Sequence, residues 1–218
     1  MSRLIDLNHV ITDGMETYPG LPGPKVCDFW TRESTAAQYD DGSTFHIARL
    51  DMVANTGTYL DSPYHRFDGG TDIAGLSLAS IANLPGICVD ARGAARVIEP
   101  DVLEGIEIAD HAILFRTDWS RHWGTPKYQE ANPCLAEETA AMLAAAGACL
   151  VGIDSLNIDD TTTQRRPVHT TLLGAGIPVV EHLCRLDRLP RKDFRFTAVP
   201  PRIEGMGTFP VRAFAELD

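Results

Sequence analysis

The eleven residues from Asn55 to His65 (Asn-Thr-Gly-Thr-Tyr-Leu-Asp-Ser-Pro-Tyr-His) constrain this chain more than any other stretch. Thr56-Gly57-Thr58 forms turns readily and Pro63 bars a helix interior, so the run reads as an ordered loop. It carries Asp61 and His65, a carboxylate and an imidazole, the residue types that hold a metal or move a proton. A loop that delivers such groups needs a scaffold that fixes it, and the remaining sequence supplies strands for one.

Residues 4–11, 44–53, 86–90, 112–115, 149–153, 177–181, 195–199 and 211–214 read as strands. The segment 44–53 is expected to lead straight into the motif. Residues 13–24 are too rich in Gly and Pro for regular structure. Residues 137–146 form the one strong helix, with Glu137 and Glu138 in the first turn and Gly147 as its stop. Residues 100–105 suggest a shorter helix with Pro100 near its start. Strands outnumber helices, which predicts a β-rich α/β fold with long active-site loops. At 218 residues, without a repeat or linker, residues 1–218 are expected to form one domain.

The formal net charge of −11 argues against nucleic acid or an anionic membrane as partner, since both would be repelled. There is no apolar run of bilayer length and no signal peptide, so a cytoplasmic protein is expected. The five cysteines are scattered and odd in number, with no C-x-x-C pair. They suit buried free thiols better than a disulfide framework or zinc knuckle.

Three clusters carry chemistry: Asp61 with His65, the run from Asp154 to Asp160 directly after a strand, and His169 with Glu181. Asp, His and Glu together suit zinc or manganese better than calcium or magnesium, because imidazole is a borderline ligand. Each has a structural alternative: Asp61 or Asp154 capping a turn, His65 bonded at the surface, His169 beginning a helix with Leu172 and Leu173, Glu181 pairing with an arginine. Trp119 and Trp123 flank Arg121 and His122 and read either as core or as pocket wall. No P-loop, nucleophile elbow or dinucleotide fingerprint is present.

Taken in order, these motifs resemble the cyclase family of metal-dependent hydrolases, which includes bacterial kynurenine formamidase and isatin hydrolase. The resemblance runs from Ile5-Asp6-Leu7 through the Asn55–His65 stretch, Arg116-Thr117-Asp118-Trp119 and Val151-Gly152-Ile153-Asp154-Ser155 to His169, Glu181 and Pro210-Val211-Arg212-Ala213. It implies a swivelling β/β/α domain, a homodimer or homotetramer, and a small-molecule substrate. The family motif is H-x-G-T-H-x-D-x-P-x-H, and Asn55 and Tyr59 stand here in place of its two leading histidines. Asn offers a neutral amide oxygen and Tyr ionises only near pH 10. The resemblance therefore implies one divalent ion, zinc or manganese, at Asp61, His169 and Glu181, rather than two.

His65 is then the general base or acid, and Tyr59 donates to the developing oxyanion. Asn55, Phe45, His46, Trp119 and Trp123 are expected around the substrate. The reaction implied is hydrolysis of an amide, or of a cyclic amide or ester, in a small aromatic compound. The alternative is a metal-free member acting as a lyase, a cyclase or a ligand-binding protein.

Overall fold

Residues 112–116 show how the architecture arises. Ile113 and Phe115 point to one face of their strand and Ala112 and Leu114 to the other, and all four are fully buried. A strand covered on both sides belongs in the middle of a sheet with parallel neighbours. The computed structural model describes residues 2–217. Among these, the strands are β1 (Arg3–Asp6), β2 (Lys25–Trp30), β3 (Ile47–Asp51), β4 (Tyr59–Asp61), β5 (Leu84–Asp90), β6 (Val97–Ile98), β7 (Ala112–Arg116), β8 (Cys134–Leu135), β9 (Leu150–Ile153), β10 (Val179–Glu181), β11 (Phe194–Thr197), β12 (Thr208–Pro210) and β13 (Phe214–Leu217). The helices are α1 (Arg32–Thr35), α2 (Glu137–Ala145) and α3 (Pro167–Gly174).

Nine strands form one sheet in the order β1-β13-β11-β5-β7-β9-β10-β4-β12. The central run β5-β7-β9-β10 is parallel, and the strands on both flanks pair antiparallel. One face packs Ile87, Val89, Ile113, Phe115, Val151 and Ile153 against Leu143 of α2 and Leu172 of α3. On the other face Ile5 and Phe196 share a cluster with Leu60 and Val180, so strands far apart in the sheet order meet over one core. This is the expected β-rich α/β fold. No helix among the described residues is long and apolar enough to cross a membrane.

The local expectations hold where burial and periodicity agree. Helix α2 ends one residue before the expected boundary, with Ala140 and Leu143 inward and Gly147 at φ 79° behind it. The helix expected at 100–105 is a 3-10 turn, Pro100–Leu103. Three strands differ. Of residues 4–11 only Leu4, Ile5 and Asp6 pair in the sheet, as part of β1. Residues 211–214 lie mostly between two strands, β12 and β13. Of residues 44–53, Ile47–Asp51 form the expected strand just before the motif, but this β3 pairs with β2 in a separate ribbon whose residues are all exposed, Val26, Phe29, Trp30, Ile47 and Leu50 among them. Its apolar residues face no core of this chain, so nothing draws it into the large sheet. Cys27 on this ribbon is an exposed thiol, unlike the buried Cys88, Cys134 and Cys184.

Candidate active site

The site forms where the sheet changes from parallel to antiparallel. β10 runs parallel to β9 and antiparallel to β4, which places Glu181 opposite Tyr59 and Val179 opposite Asp61. Side chains alternate along a strand, so Tyr59 and Asp61 leave β4 on the same face and Leu60 enters the opposite core. Gly57, at φ 66°, makes the turn before β4 and packs against Ile11. His169 arrives from α3, which starts at Pro167, a proline at the first helical position.

Asp61, His169 and Glu181 are all buried, and their ligand atoms lie within 4.8 Å of one another. His169 Nε2 is 3.5 Å from Asp61 Oδ2 and 3.5 Å from Glu181 Oε1. A tetrahedral cage with bonds of about 2.1 Å has edges of about 3.4 Å, so these spacings suit a small divalent ion. Asp61 Oδ2 is buried without a hydrogen-bond partner, an arrangement that costs stability unless a ligand fills the gap. The His169 ring is set for the same purpose. Its Nδ1 bonds Asp159 Oδ2 at 2.6 Å, which turns Nε2 toward the two carboxylates. The donor set could hold one small divalent metal ion.

Asp159 does a second job. Its carboxylate accepts from the backbone N–H of Val168 at 2.8 Å and of His169 at 3.0 Å, capping α3. One buried side chain thus fixes both the helix and the imidazole it carries. Burial works against the Asp61 charge, but the imidazoles of His169 and His65 and the Thr208 hydroxyl outweigh it and hold its carboxyl below the usual range. Burial raises Glu181, although His169 and the Ile158 N–H oppose it. Burial alone would lower His169, but Glu181, Asp159 and Asp61 reverse that and raise it.

His65 lies at the cavity wall with its ring partly exposed. Its Nδ1 is 2.8 Å from Thr208 Oγ1, and that hydroxyl makes a very short bond to Asp61 Oδ1. The hydroxyl has one proton, and the carboxylate is the stronger acceptor. His65 Nδ1–H therefore donates to Thr208, and Nε2 is left as the basic nitrogen.

Tyr59 is tied differently from expectation. Its hydroxyl donates to Glu181 Oε2 at 2.7 Å and lies 3.3 Å from His182 Nε2. Tyr128 Oη lies 2.9 Å from His182 Nδ1. Burial pushes the Tyr59 phenol well above its ordinary range, reinforced by the Glu181 and Asp61 charges. Burial lowers His182 to about 3, so it is neutral. Donors then run one way, from Tyr128 to His182 to Tyr59 to Glu181. The single Tyr59 proton is committed to Glu181, so this hydroxyl is not free to donate to an oxyanion. His182 itself sits at φ 57°, a conformation rare for its type, and its carbonyl accepts from Thr58 Oγ1 at 2.7 Å.

A cavity of about 380 Å³ opens onto these groups, lined also by Tyr18, Asn55, Arg66, Asn157 and Arg166. A larger one, about 670 Å³, lies around Pro85, Arg191 and Phe194, away from the Asp61, His169 and Glu181 cluster. Asn55 lines the smaller cavity, whereas Phe45, His46, Trp119 and Trp123 do not. Trp123 stacks on His9 at 4.0 Å and meets His182 edge-on at 5.6 Å, behind the hydrogen-bond chain. Trp119 donates its indole N–H to the Tyr128 carbonyl. Phe45 packs between Trp30 and Tyr39, and His46 bonds Asp28, both beside the exposed ribbon. Phe45, His46 and Trp119 find partners near them in sequence, whereas Trp123 rests on His9 and His182, both distant in sequence.

Residue-by-residue reading missed Thr208, His182, Tyr128, Arg66 and Arg166, none of which carries a local signature. Asp159 also lacks one: the residue in the N-cap position of α3 is Arg166, and Asp159 reaches the helix start only through the fold of the loop between them.

Known proteins share this arrangement of the chain. The Cyclase family model matches residues 5–160. The kynurenine formamidase of Erythrobacter litoralis (strain HTCC2594) is 29% identical over 210 residues, covering 92% of this chain and 88% of that protein. The solved structure of a potential metal-dependent hydrolase with cyclase activity superposes with a TM-score of 0.82 at 26% identity, covering 100% of this chain and 99% of that one. Isatin hydrolase A from Labrenzia aggregata, bound to benzyl benzoate, superposes with a TM-score of 0.83 at 21% identity, covering 99% and 94%. At that identity the last likeness speaks for the fold.

Proposed function

The chain belongs to the Cyclase family, and on that footing we propose that it hydrolyses the carbon–nitrogen bond of a small aromatic amide, open-chain or cyclic, at Asp61, His169 and Glu181 with His65 as base. Amide hydrolysis is the reaction for which its kynurenine formamidase relatives are named. The observation that carries the reading is Asp61 Oδ2, buried, unpartnered and facing His169 Nε2 across 3.5 Å. Asp61, His169 and Glu181 would hold a zinc or manganese ion, whose positive charge would make water more acidic and polarise a carbonyl.

The rest follows from the chain's own groups. His65 Nε2 takes the proton of the attacking water, because Nδ1–H is committed to Thr208. The imidazolium so formed has Asp61 Oδ1 3.6 Å from Nδ1, which offsets its charge. A carbon–oxygen bond forms, the carbon–nitrogen bond breaks, and the proton passes from His65 to the leaving nitrogen. The Tyr128–His182–Tyr59 chain keeps Glu181 in place throughout. A cavity of about 380 Å³ suits a substrate of one or two rings. The free thiols suit a reducing cytoplasm. The exposed apolar β2–β3 ribbon favours a second copy of the chain as its partner, readable by analytical ultracentrifugation.

The test uses an N-formyl arylamine and a cyclic aryl amide as substrates. Chelation should abolish turnover, and added zinc or manganese should restore it. Elemental analysis should find about one ion per chain in the native protein and far less in E181Q. Turnover untouched by chelation, with equal metal in both proteins, overturns the assignment and favours the metal-free alternative.

A further inference from the structure

Five buried polar side chains line the smaller cavity: Tyr59, Asp61, His169, Glu181 and Asn157. Three of them form the candidate metal site, and the Tyr59 proton is committed to Glu181. Asn157, only 7% exposed, is the one that the reaction above leaves unused.

Its amide cannot turn. Oδ1 accepts the backbone N–H of Asp159 at 2.9 Å, and the reverse orientation would set an NH₂ against that N–H. The Asn157 carbonyl accepts from Asn132 Nδ2 at 2.9 Å and from Ser155 Oγ at 3.3 Å, so the backbone is pinned as well. Among the described residues Nδ2 has no acceptor, yet it is not sealed away from the cavity. The other buried asparagine among them, Asn132, has both ends engaged: Nδ2 by the Asn157 carbonyl and Oδ1 by the Thr161 hydroxyl. The next two residues along the chain hold the ligands. Ile158 N–H donates to Glu181 Oε1 at 2.7 Å, and Asp159 Oδ2 holds His169 Nδ1 at 2.6 Å. Three consecutive residues thus serve one site, and the first of them presents a rigid, unspent N–H donor beside it.

We propose, on the footing of the hydrolase reading above, that Asn157 is a catalytic residue whose Nδ2–H donates to the carbonyl oxygen of the amide that is cleaved. As the water oxygen bonds to the carbonyl carbon, the carbon–oxygen double bond opens and its electron pair gathers on the carbonyl oxygen. The hydrogen bond from Asn157 strengthens as that charge grows. When the carbon–nitrogen bond breaks, the double bond reforms and the nitrogen takes its proton from His65. Asn157 itself gives up no proton. A neutral donor already aimed into a buried pocket stabilises such a charge without having to reorient. It fills the part that Tyr59, spent on Glu181, cannot play.

The experiment compares turnover of formanilide and thioformanilide by the native protein, N157D and N157A. N157D keeps an oxygen for the Asp159 N–H but has no N–H to give, and N157A adds no charge. In both variants kcat on formanilide should fall about 100-fold, with the metal content per chain unchanged by elemental analysis. Sulfur accepts hydrogen bonds weakly, so the same variants should lose a smaller factor on thioformanilide. A purely structural role would cost both substrates equally. Native kcat in N157D, equal losses on the two substrates, or a loss of kcat matched by loss of metal overturns the assignment. N157D decides alone if N157A fails to fold. If the native protein turns over neither compound, the hydrolase reading fails separately, and calorimetry with acetanilide decides the donor. Binding at least about threefold weaker in N157D supports it, and equal affinity, or no binding to the native protein, rejects it.

Discussion

Replacing Asp159 with Asn tests whether one carboxylate serves both the helix and the ligand. In the native protein its two oxygens receive Val168 N–H, His169 N–H and His169 Nδ1, all within a buried pocket. Asn is nearly the same shape but has one acceptor oxygen and one donor NH₂. Whichever way the amide turns, at least one backbone N–H faces a donor. An unsatisfied buried group costs about 1–3 kcal/mol. For a chain of this length that lowers Tm by roughly 3–10 °C. The imidazole also loses its anchoring acceptor, a change that typically weakens metal affinity about 10–100-fold. The assay is a competitive zinc titration against a chromophoric chelator, with thermal melts of the metal-free protein alongside. D160N is the control, because Asp160 pairs with Arg96 away from the imidazole. The double role is refuted if D159N binds zinc as tightly as the native protein, or if D160N weakens binding equally.

Other outcomes follow from the same contacts. Tyr59→Phe strands the His182 Nε2–H and removes a donor from Glu181, so melts should show a loss of about 1–3 kcal/mol; a kcat defect with unchanged stability would instead return Tyr59 to the oxyanion role. In Gly207→Ala the new Cβ would sit 2.6 Å from the backbone N and Cα of His65, which cannot yield. The turn carrying the base must shift, and kcat should drop about 10–100-fold, while unchanged kcat contradicts the base assignment. Asp154 is raised to about 6, chiefly by burial against the opposing hydrogen bonds from Thr117 and Asp118. Its folded form holds the proton more tightly than the unfolded chain, so its contribution is full below about pH 4 and is lost as pH rises through about 6. That amounts to roughly 3 kcal/mol. Denaturant titrations of native protein and D154N should diverge across that window, and parallel pH profiles would refute the linkage.

The fold was legible where one physical signal dominated. Residues 112–115 and 149–153 are apolar throughout because they are covered on both faces, and 137–146 combines helix formers with an acidic start and a glycine stop. The strand within 44–53 was legible as a strand, but its place was not: Ile47 and Leu50 are exposed, and the sequence does not show that β3 pairs only with β2. At the site, the candidate ligands came from the resemblance and their residue types, and Asp61, His169 and Glu181 lie together although far apart in sequence. Their supports could not be found that way. Thr208 becomes meaningful only when β12 pairs with β4 and sets it opposite Asp61. Tyr59 looked like a free hydroxyl because nothing in its neighbourhood shows that β10 will bring Glu181 across from it. A hydrogen-bond partner on a strand distant in sequence leaves no trace in the local pattern.

The short strand β4 has a consequence for how this chemistry can change. Its ladder partners hold position 59 against 181 and position 61 against 208. Slipping the pairing by one residue would send Leu60 into the polar cavity and the acid into oil, which the fold forbids. Exchanging the side chain at 59 or 55 leaves the backbone ladders of β4 with both partner strands in place. The frame is thus rigid where ligands are aimed and permissive in which ligands it aims, so such a protein can trade one set of donors for another while keeping its shape.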